Sequence, residues 1–461
     1  MDKFQHDVLV GIAKVLNPVL VTLPFLAAWF LYYGERTASP FYYWGNWVVV
    51  ALFFILYVLF GRVYDAFLIS INRISEMVYS QTLAALIAEF LLYVVICLLS
   101  KRLVNPLPLV AALCGQMLLS TAWSFLAHQW YFSHFPAKRS AIVYDVRQGL
   151  ERLVEEYGLE KKFDVREAID VEQCLADLSR LDSMDTVFLS GIHSHDRNII
   201  LKYCVDRDIN VYVIPRIGDV LMSGAHPMHM FHLPMLNVGR YHPSPLYLFL
   251  KRGFDILASG LATIVLSPVF IATAIAIKAN DGGPVFYKQR RLTKDGALFD
   301  VLKFRSMRVD AEKDGVARLS TGDKDDRITP VGRFIRKVRI DELPQLLNIL
   351  KGDMTICGPR PERPEIAAQY EKELPEFRLR LQAKAGLTGY AQVYGKYNTT
   401  PYDKLVMDLM YISHPSFWQD LQIMFATVKI LFMKESTEGF EEQTVGREGS
   451  SGKVPDEGKI A

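Results

Sequence analysis

The sequence predicts a membrane protein with an N-terminal four-helix transmembrane bundle, a Rossmann-like α/β middle domain and a mixed α/β C-terminal domain. Three observations carry this. Four apolar segments fill the first third, at residues 8–33, 44–59, 82–99 and 107–132. Short strand-like runs alternate with helical ones from 140 to 240. A fifth apolar run, 254–277, is interrupted by Ser267-Pro268 and opens a region rich in Arg, Lys and Gly turns. Hydrophobic residues make up 51% of the 461 and mean hydropathy is +0.14. That is more apolar than an ordinary soluble enzyme, and the excess sits at the N-terminus. The net charge of +2 does not nominate nucleic acid as a partner.

Residues 1–132 form the expected bundle. Most of its segments have the ~20 residues needed to cross a hydrocarbon core of ~30 Å. The second is short, but Phe41, Tyr42, Tyr43 and Trp44 give it an aromatic interfacial start. Asn17-Pro18 breaks the first, a defect that a helix bundle tolerates. A buried soluble helical domain is the competing reading, but four such segments in succession are hard to cover with protein. An even number of spans puts Lys3, Arg62, Arg73, Lys138 and Arg139 on one side. Arg36, Lys101 and Arg102 fall on the other. That bias favours a cytoplasmic N-terminus. No cleavable signal is expected, because the first apolar stretch is long and no small-residue cleavage site closes it. The cysteines are Cys97, Cys114, Cys174, Cys204 and Cys357. They are odd in number and form no Cys-x-x-Cys pair, which argues against disulfides or zinc and for a reducing compartment.

Residues 133–240 read as the middle domain. Strands are expected at 141–144, 163–168, 186–189 and 210–214, and helices at 148–157, 171–178 and 196–206. A dinucleotide fold would place Gly-x-Gly-x-x-Gly at the first strand–helix junction. Here Asp145, Arg147 and Leu150 stand where backbone would approach a pyrophosphate, and Asp145 would repel it. The domain is therefore expected to be Rossmann-like without binding nucleotide, as a structural or regulatory spacer. His226, His229 and His232 recur at three-residue spacing, but no Cys, Asp or Glu flanks them. They read as a plain loop.

Residues 241–433 form the third part. In the run 254–277, Pro268 removes a helical hydrogen bond and clashes with the preceding turn. Two geometries are open: a kinked fifth span, or a helix that dips into the bilayer and returns to the same face. Residues 434–461 are polar and Gly/Ser-rich, and read as a disordered tail.

The candidate chemistry lies at Asp341-Glu342. Read blandly, Asp341 caps a helix 342–350 with Pro344 in its first turn. Read functionally, a helix start favours anions. Adjacent acids could then divide the work between nucleophile and Mg²⁺ ligand. Cations surround them. Lys303 and Arg305 would share one face of a strand, with Phe304 on the other. Gln289-Arg290-Arg291 adds charge. Arg333, Arg336 and Arg339 recur at helical spacing. Guanidinium groups bind phosphate bidentately, so a cluster beside paired acids means more than its members alone.

Several motifs occur in order. They are Lys303-Phe304-Arg305-Ser306-Met307, Asp341-Glu342-Leu343-Pro344-Gln345-Leu346, Gly352-Asp353, Gly358-Pro359-Arg360-Pro361 and Lys384-Ala385-Gly386-Leu387-Thr388-Gly389. Together they resemble the bacterial sugar transferase family, the monotopic polyprenol-phosphate phosphoglycosyl transferases, over about 246–432. The four N-terminal spans and a degenerate Rossmann-like domain resemble its long-form members. Ser267-Pro268 resembles that family's re-entrant membrane helix, near 254–277. The catalytic domain is then on the cytoplasmic face of the bacterial inner membrane.

The resemblance implies transfer of a hexose-1-phosphate from a UDP-sugar to undecaprenyl phosphate, releasing UMP, at the first membrane step of exopolysaccharide, capsule or O-antigen synthesis. It implies Asp341 as nucleophile and Glu342 as the Mg²⁺ ligand. Lys303, Arg305 and Arg336 would bind substrate phosphate, and Pro359, Arg360 and Pro361 would border the nucleotide. Asp408 and Tyr411 match an Asp-x-x-Tyr segment, with Asp408 counted among the substrate-binding residues. Departures are small: Ala385 stands where proline is usual, and Tyr390 where Trp is common. The sugar stays open between glucose, galactose and an N-acetylated sugar. The bundle is compatible with a homodimer. A membrane-anchored nucleotide-sugar dehydratase or epimerase is the rival enzyme. It needs a glycine fingerprint that is lacking, and Tyr157/Lys161 or Tyr247/Lys251 match its Tyr-x-x-x-Lys only by spacing. A non-catalytic assembly scaffold should lack the acids or the cations, and this chain has both.

Overall fold

The computed structural model describes residues 3–41, 44–147, 149–309, 311, 327–395 and 399–431. The region expected as a disordered tail, 434–461, lies outside the described residues. The chain divides into two compact units, Met1–Ile214 and Pro215–Ala461.

The first unit opens with four long helices, α1 (Lys3–Ala28), α2 (Gly45–Val63), α3 (Ile74–Ser100) and α4 (Leu107–His134). α1 runs on through a π turn, Trp29–Tyr33, and a 3-10 turn, Gly34–Arg36. All four are long and apolar enough to cross a membrane, which makes this a membrane protein. α1 packs on α2 and α4, and α3 packs on α2 and α4. The expected break at Asn17-Pro18 is absent, and the helix continues through Pro18 and Pro24. The buried amide beside Pro18 is met by neighbouring helices. Asn17 Nδ2 donates to Gln81 Oε1 of α3 at 3.0 Å, and Tyr57 Oη of α2 donates to Asn17 Oδ1 at 2.8 Å. Gln81 Nε2 donates to the Ala66 carbonyl at 3.0 Å. Buried amides in an apolar bundle must find partners, and these link three segments of the unit.

The same unit continues as β1 (Lys138–Tyr144), α5 (Leu150–Glu156), β2 (Phe163–Asp170), α6 (Val171–Ala176), β3 (Thr186–Ser190), α7 (Ser194–Asp206) and β4 (Asn210–Val213). The strands form one parallel sheet in the order β2-β1-β3-β4. Parallel strands need crossover connections, and α5, α6 and α7 supply them. At the β1–α5 junction Ser190 Oγ donates to the Arg147 carbonyl at 2.9 Å. A side chain at Gly191 (φ 70°) would meet Arg147 at 3.0 Å, so this turn is closely packed.

The second unit begins with α8 (Ile217–Ser223). Its Val220 lies in that unit's core, so this helix belongs to the C-terminal unit although a boundary at 240 was expected. An antiparallel hairpin follows, β5 (His226–Met230) and β6 (Leu233–Asn237). It replaces the loop expected around the histidines. Then come α9 (Pro245–Val265) and α10 (Ser267–Asp281), bent by 60° where they meet, with Pro268 in the first turn of α10. Strands β7 (Phe286–Leu292) and β8 (Leu298–Phe304) pair antiparallel. After these stand α11 (Pro330–Lys337), α12 (Gln345–Lys351), β9 (Thr355–Cys357), α13 (Pro364–Glu373), β10 (Gly386–Thr388), α14 (Tyr390–Tyr394), α15 (Pro401–Ser413) and α16 (Phe417–Leu431). β9 and β10 pair in parallel. Ile349, Met354, Phe377, Leu405, Leu409 and Tyr411 lie in one core cluster.

α9 inverts the usual pattern of a surface helix. Leu257 (74% exposed) and Ile264 (72%) point outward, while Asp255 is only 4% exposed. Asp255 accepts from Thr355 Oγ1 at 2.6 Å and from the Ile356 N–H at 3.1 Å. Arg252 donates to the Ile349 and Leu350 carbonyls at the end of α12, at 2.6 and 2.9 Å. Lys251 pairs with Asp420 of α16 at 2.8 Å. A helix with charges inside and leucines outside suits a surrounding of lipid.

Candidate active site

The site is built where α11, the start of α12 and the end of β8 converge. Phe304 is buried with Ile335 of α11 and Ile277 of α10, which fixes the end of β8. The alternation of the strand then turns Lys303 the other way, and its Nζ lies 3.0 Å from Glu342 Oε1. Arg360 Nη2 reaches the same oxygen, also at 3.0 Å.

Arg360 arrives by a separate route. Gly358 lies between β9 and the segment around β10, where a Cβ would meet the Lys384 carbonyl at 2.3 Å. This close approach lets Gly358 N–H bond the Thr388 carbonyl and Gly386 N–H bond the Pro359 carbonyl, each at 2.9 Å. The Gly-Pro-Arg-Pro turn is thereby held against the acids.

The local structure at Asp341 differs from a capped helix. α11 stops at Lys337, and Arg339 takes left-handed backbone angles (φ 59°). Ile340–Glu342 then forms a 3-10 turn, and α12 starts only at Gln345. Arg339 therefore lies beyond the helix that carries Arg333 and Arg336. Asp341 is inside the turn rather than at an N-cap. The physical reason is local: the Glu342 and Leu343 N–H groups bond the Arg339 and Ile340 carbonyls, and Pro344 has no N–H to be capped. The Asp341 side chain is consequently free of capping. It is 8% exposed, and its Oδ1 has no hydrogen-bond partner among the described residues. Nη1 of Arg336 is also buried without a partner among them. Such orphaned groups are rare in folded proteins and call for an explanation.

Electrostatics separates the two acids. Burial pushes the Glu342 carboxyl up, but Arg360 and Lys303 outweigh it and hold Glu342 well below the usual range. Asp341 moves the other way. Burial raises it, the charge of Glu342 adds to that, and Lys303, Arg336 and Arg339 offset only part. Neighbouring groups pushed apart in this way characterise acid–base and nucleophilic sites.

The other expected residues fall elsewhere. Arg305 follows β8, is buried, and pairs with Asp281 at the end of α10 rather than with the acid pair. Pro359 and Pro361 flank Arg360 and line a cleft with Leu292, Thr293 and Phe377. Asp408 is buried in α15 and paired with Arg380. Sequence reasoning missed Arg380 and Glu362, which stand behind the Pro-Arg-Pro turn and belong to no motif. Among the described residues no group of three or more His, Cys, Asp and Glu could hold a metal. The donors at the site are the two carboxylates, with Asp341 Oδ1 unpartnered. That set fits Mg²⁺, which commonly takes one or two carboxylates plus phosphate oxygens and water, and does not fit a closed zinc site.

Residues 246–434 match the family model described as Bacterial sugar transferase. The chain is 40% identical over 234 residues to a UDP-N-acetylgalactosamine-undecaprenyl-phosphate N-acetylgalactosaminephosphotransferase of Aeromonas hydrophila. That covers 50% of this chain and 54% of the relative. It is 40% identical over 191 residues to a UDP-glucose:undecaprenyl-phosphate glucose-1-phosphate transferase of Caulobacter vibrioides, covering 40% of this chain and 71% of the relative. An undecaprenyl-phosphate galactose phosphotransferase of Salmonella typhimurium is 38% identical over 201 residues, 41% of either chain. The chain thus spans about half the length of most of these relatives. The three named relatives differ in the sugar that their names carry.

Proposed function

The chain belongs to the bacterial sugar transferase family, and on that footing we propose that it transfers a hexose-1-phosphate from a UDP-sugar to undecaprenyl phosphate and releases UMP. The observation that carries this reading is the split between the two acids: Glu342 is paired with two cations, while Asp341 is buried with an unpartnered oxygen. Asp341 Oδ1 attacks the phosphorus bearing the sugar. The pyrophosphate P–O bond breaks, its electron pair leaves with UMP, and an aspartyl-phosphosugar remains. An oxygen of undecaprenyl phosphate then attacks the same phosphorus and displaces the Asp341 carboxylate.

Arg336, with its unpartnered Nη1, and Lys303 hold the phosphoryl oxygens, where a well-aimed cation contributes ~3 kcal/mol to the transition state. Mg²⁺ would be held through Glu342 with Asp341 alongside, and when bound it would neutralise charge on those oxygens. It would compete with Lys303 and Arg360 for the Glu342 carboxylate. The bent pair α9–α10 is read as a re-entrant helix in the inner membrane, with the catalytic part on the cytoplasmic face, where UDP-sugars are available. Its inward charges and outward leucines support this. The Rossmann-like part of the first unit is read as a spacer.

The test uses purified full-length protein with a panel of UDP-sugars. A two-step mechanism predicts exchange of labelled UMP into UDP-sugar without any lipid acceptor. Asp341→Asn should abolish both that exchange and lipid-linked product. Exchange that requires undecaprenyl phosphate, or that persists in Asp341→Asn, would sink the covalent mechanism.

A further inference from the structure

Arg360 touches Glu342, but the groups that hold Arg360 lie deeper in the domain. Prolines on both sides restrict the turn: Pro359 and Pro361 have fixed φ, and a residue before proline is confined to extended backbone. The carbonyls are then gripped from behind. Arg380 Nη2 donates to the Arg360 carbonyl at 2.9 Å, and Arg291 Nη1 donates to the Pro361 carbonyl at 3.0 Å.

Arg380 is itself clamped. Its side chain is 3% exposed, and its Nε and Nη2 lie 2.8 and 2.7 Å from Asp408 Oδ2. Glu362 closes the cluster, with Oε1 3.6 Å from Arg380 and 3.5 Å from Lys404, and Oε2 3.9 Å from Arg291. Burying such a pair is weak as a source of stability, because desolvation offsets most of the attraction. Its value lies in direction: one planar guanidinium bonds a carboxylate and a carbonyl in a fixed geometry.

We propose that Asp408 and Arg380 are positioning residues, acting through the Arg360 backbone to set the Arg360 guanidinium on Glu342. This rests on the reading of Asp341 and Glu342 as the catalytic pair. It moves Asp408 from the substrate-binding set to a place two links behind it. The chain of contacts is Asp408 to Arg380, Arg380 to the Arg360 carbonyl, and Arg360 to Glu342.

A double-mutant cycle on the full-length protein tests this, with donor kcat and KM measured at saturating undecaprenyl phosphate. Asp408→Asn should lower kcat/KM roughly tenfold or more in the parent, and by no more than about twofold in an Arg360→Ala background. It should also share Arg360→Ala's division of the loss between kcat and KM. Equal fold-losses in both backgrounds, or a division between kcat and KM unlike that of Arg360→Ala, would overturn the proposal. Because Asp408→Asn strands a buried guanidinium and could unfold the domain, Arg380→Lys is run beside it. That variant keeps the charge but loses the planar fork that spans Asp408 and the Arg360 carbonyl, so it should show the same dependence on Arg360. Parent-like turnover in a folded Arg380→Lys protein would equally refute the relay. Asp341→Asn separates the two levels: activity there defeats the catalytic reading, while additive losses with an inactive Asp341→Asn defeat only the positioning.

Discussion

Two apolar stretches of this chain carry proline in their interior, and they respond differently. α1 passes Pro18 and Pro24 as one helix, whereas α9 and α10 meet at 60° beside Pro268. Proline removes the same hydrogen bond in each. The difference lies in what the inner face must satisfy. α1 buries Val21 and Phe25, and its one buried amide, Asn17, is answered by side chains of α2 and α3. α9 buries Asp255 against a hydroxyl and an N–H of the folded second unit, and sets half-buried Arg252 and Lys251 on carbonyls and a carboxylate of the same unit. Those partners exist only on one side, so the helix stays with them. Proline permits a bend, and the partners decide whether it is used.

The largest expected effect therefore falls on Asp255. Asp255→Leu leaves the Thr355 hydroxyl and the Ile356 N–H without their acceptor, which should cost about 4 kcal/mol. β9 leads directly into Gly358-Pro359-Arg360, so turnover should fall with stability. Denaturant unfolding in detergent measures the first and UMP release the second. A variant as stable as the parent would mean that the inner charges of α9 do not hold it.

Within the second unit the same contrast recurs between satisfied and unsatisfied charge. Glu342 has its cations; Arg336 has an orphaned nitrogen. Arg336→Ala should thus leave unfolding nearly unchanged and lower kcat/KM about 100-fold, the equivalent of ~3 kcal/mol in the transition state. On the proposed mechanism Asp341 must be ionised to attack, and burial together with the charge of Glu342 already holds its carboxyl above the ordinary value. Removing a cation that favours the ionised form raises it further. The acid limb of the pH–rate profile should move to higher pH in Arg336→Ala; a shift to lower pH would contradict Asp341 as the titrating group.

The sequence made these regions legible to different degrees. The helices of the bundle and the strands at 141–144 and 186–189 follow from local periodicity, and the break at Ser267-Pro268 from a proline whose bend is used. At Pro18 local sequence predicts a break that the helix does not show, and the partners of the adjacent Asn17, Tyr57 and Gln81, lie 40 and 64 residues from it in the chain. The acid pair and Lys303 could be named, yet their division of labour was readable only through the family resemblance. Arg339 in a left-handed turn gave no sign, since an arginine there is indistinguishable from one continuing α11. Asp408 was placed on the substrate because nothing local ties it to Arg380, 28 residues earlier.

Asn17→Leu asks less of the molecule. It removes the α1 amide from the knot with Gln81 and Tyr57, and interhelical hydrogen bonds of this kind contribute about 1 kcal/mol. The bundle should lose about that much stability, while turnover per folded molecule stays at the parent's level. A large loss of turnover would instead tie the bundle's packing to the second unit's chemistry.

Pro268→Ala should change least, although its residue marks the bend. Pro268 stands in the first turn of α10, where its missing N–H would have had no helical partner in the bent form. The arms are held independently. Arg252 and Asp255 fix α9 to α12 and β9, while Phe270 and Ile277 of α10 pack with Phe304 and Ile335, and Asp281 pairs with Arg305. Alanine restores the option of a straight helix, worth up to ~3 kcal/mol, but straightening would break both sets of contacts at once. Reporters fused after α4 and after α16 should therefore score on the same side in Pro268→Ala as in the parent. If the second reporter crosses to the opposite side, the bend is made by the proline, and the inner-face charges of α9 only follow it.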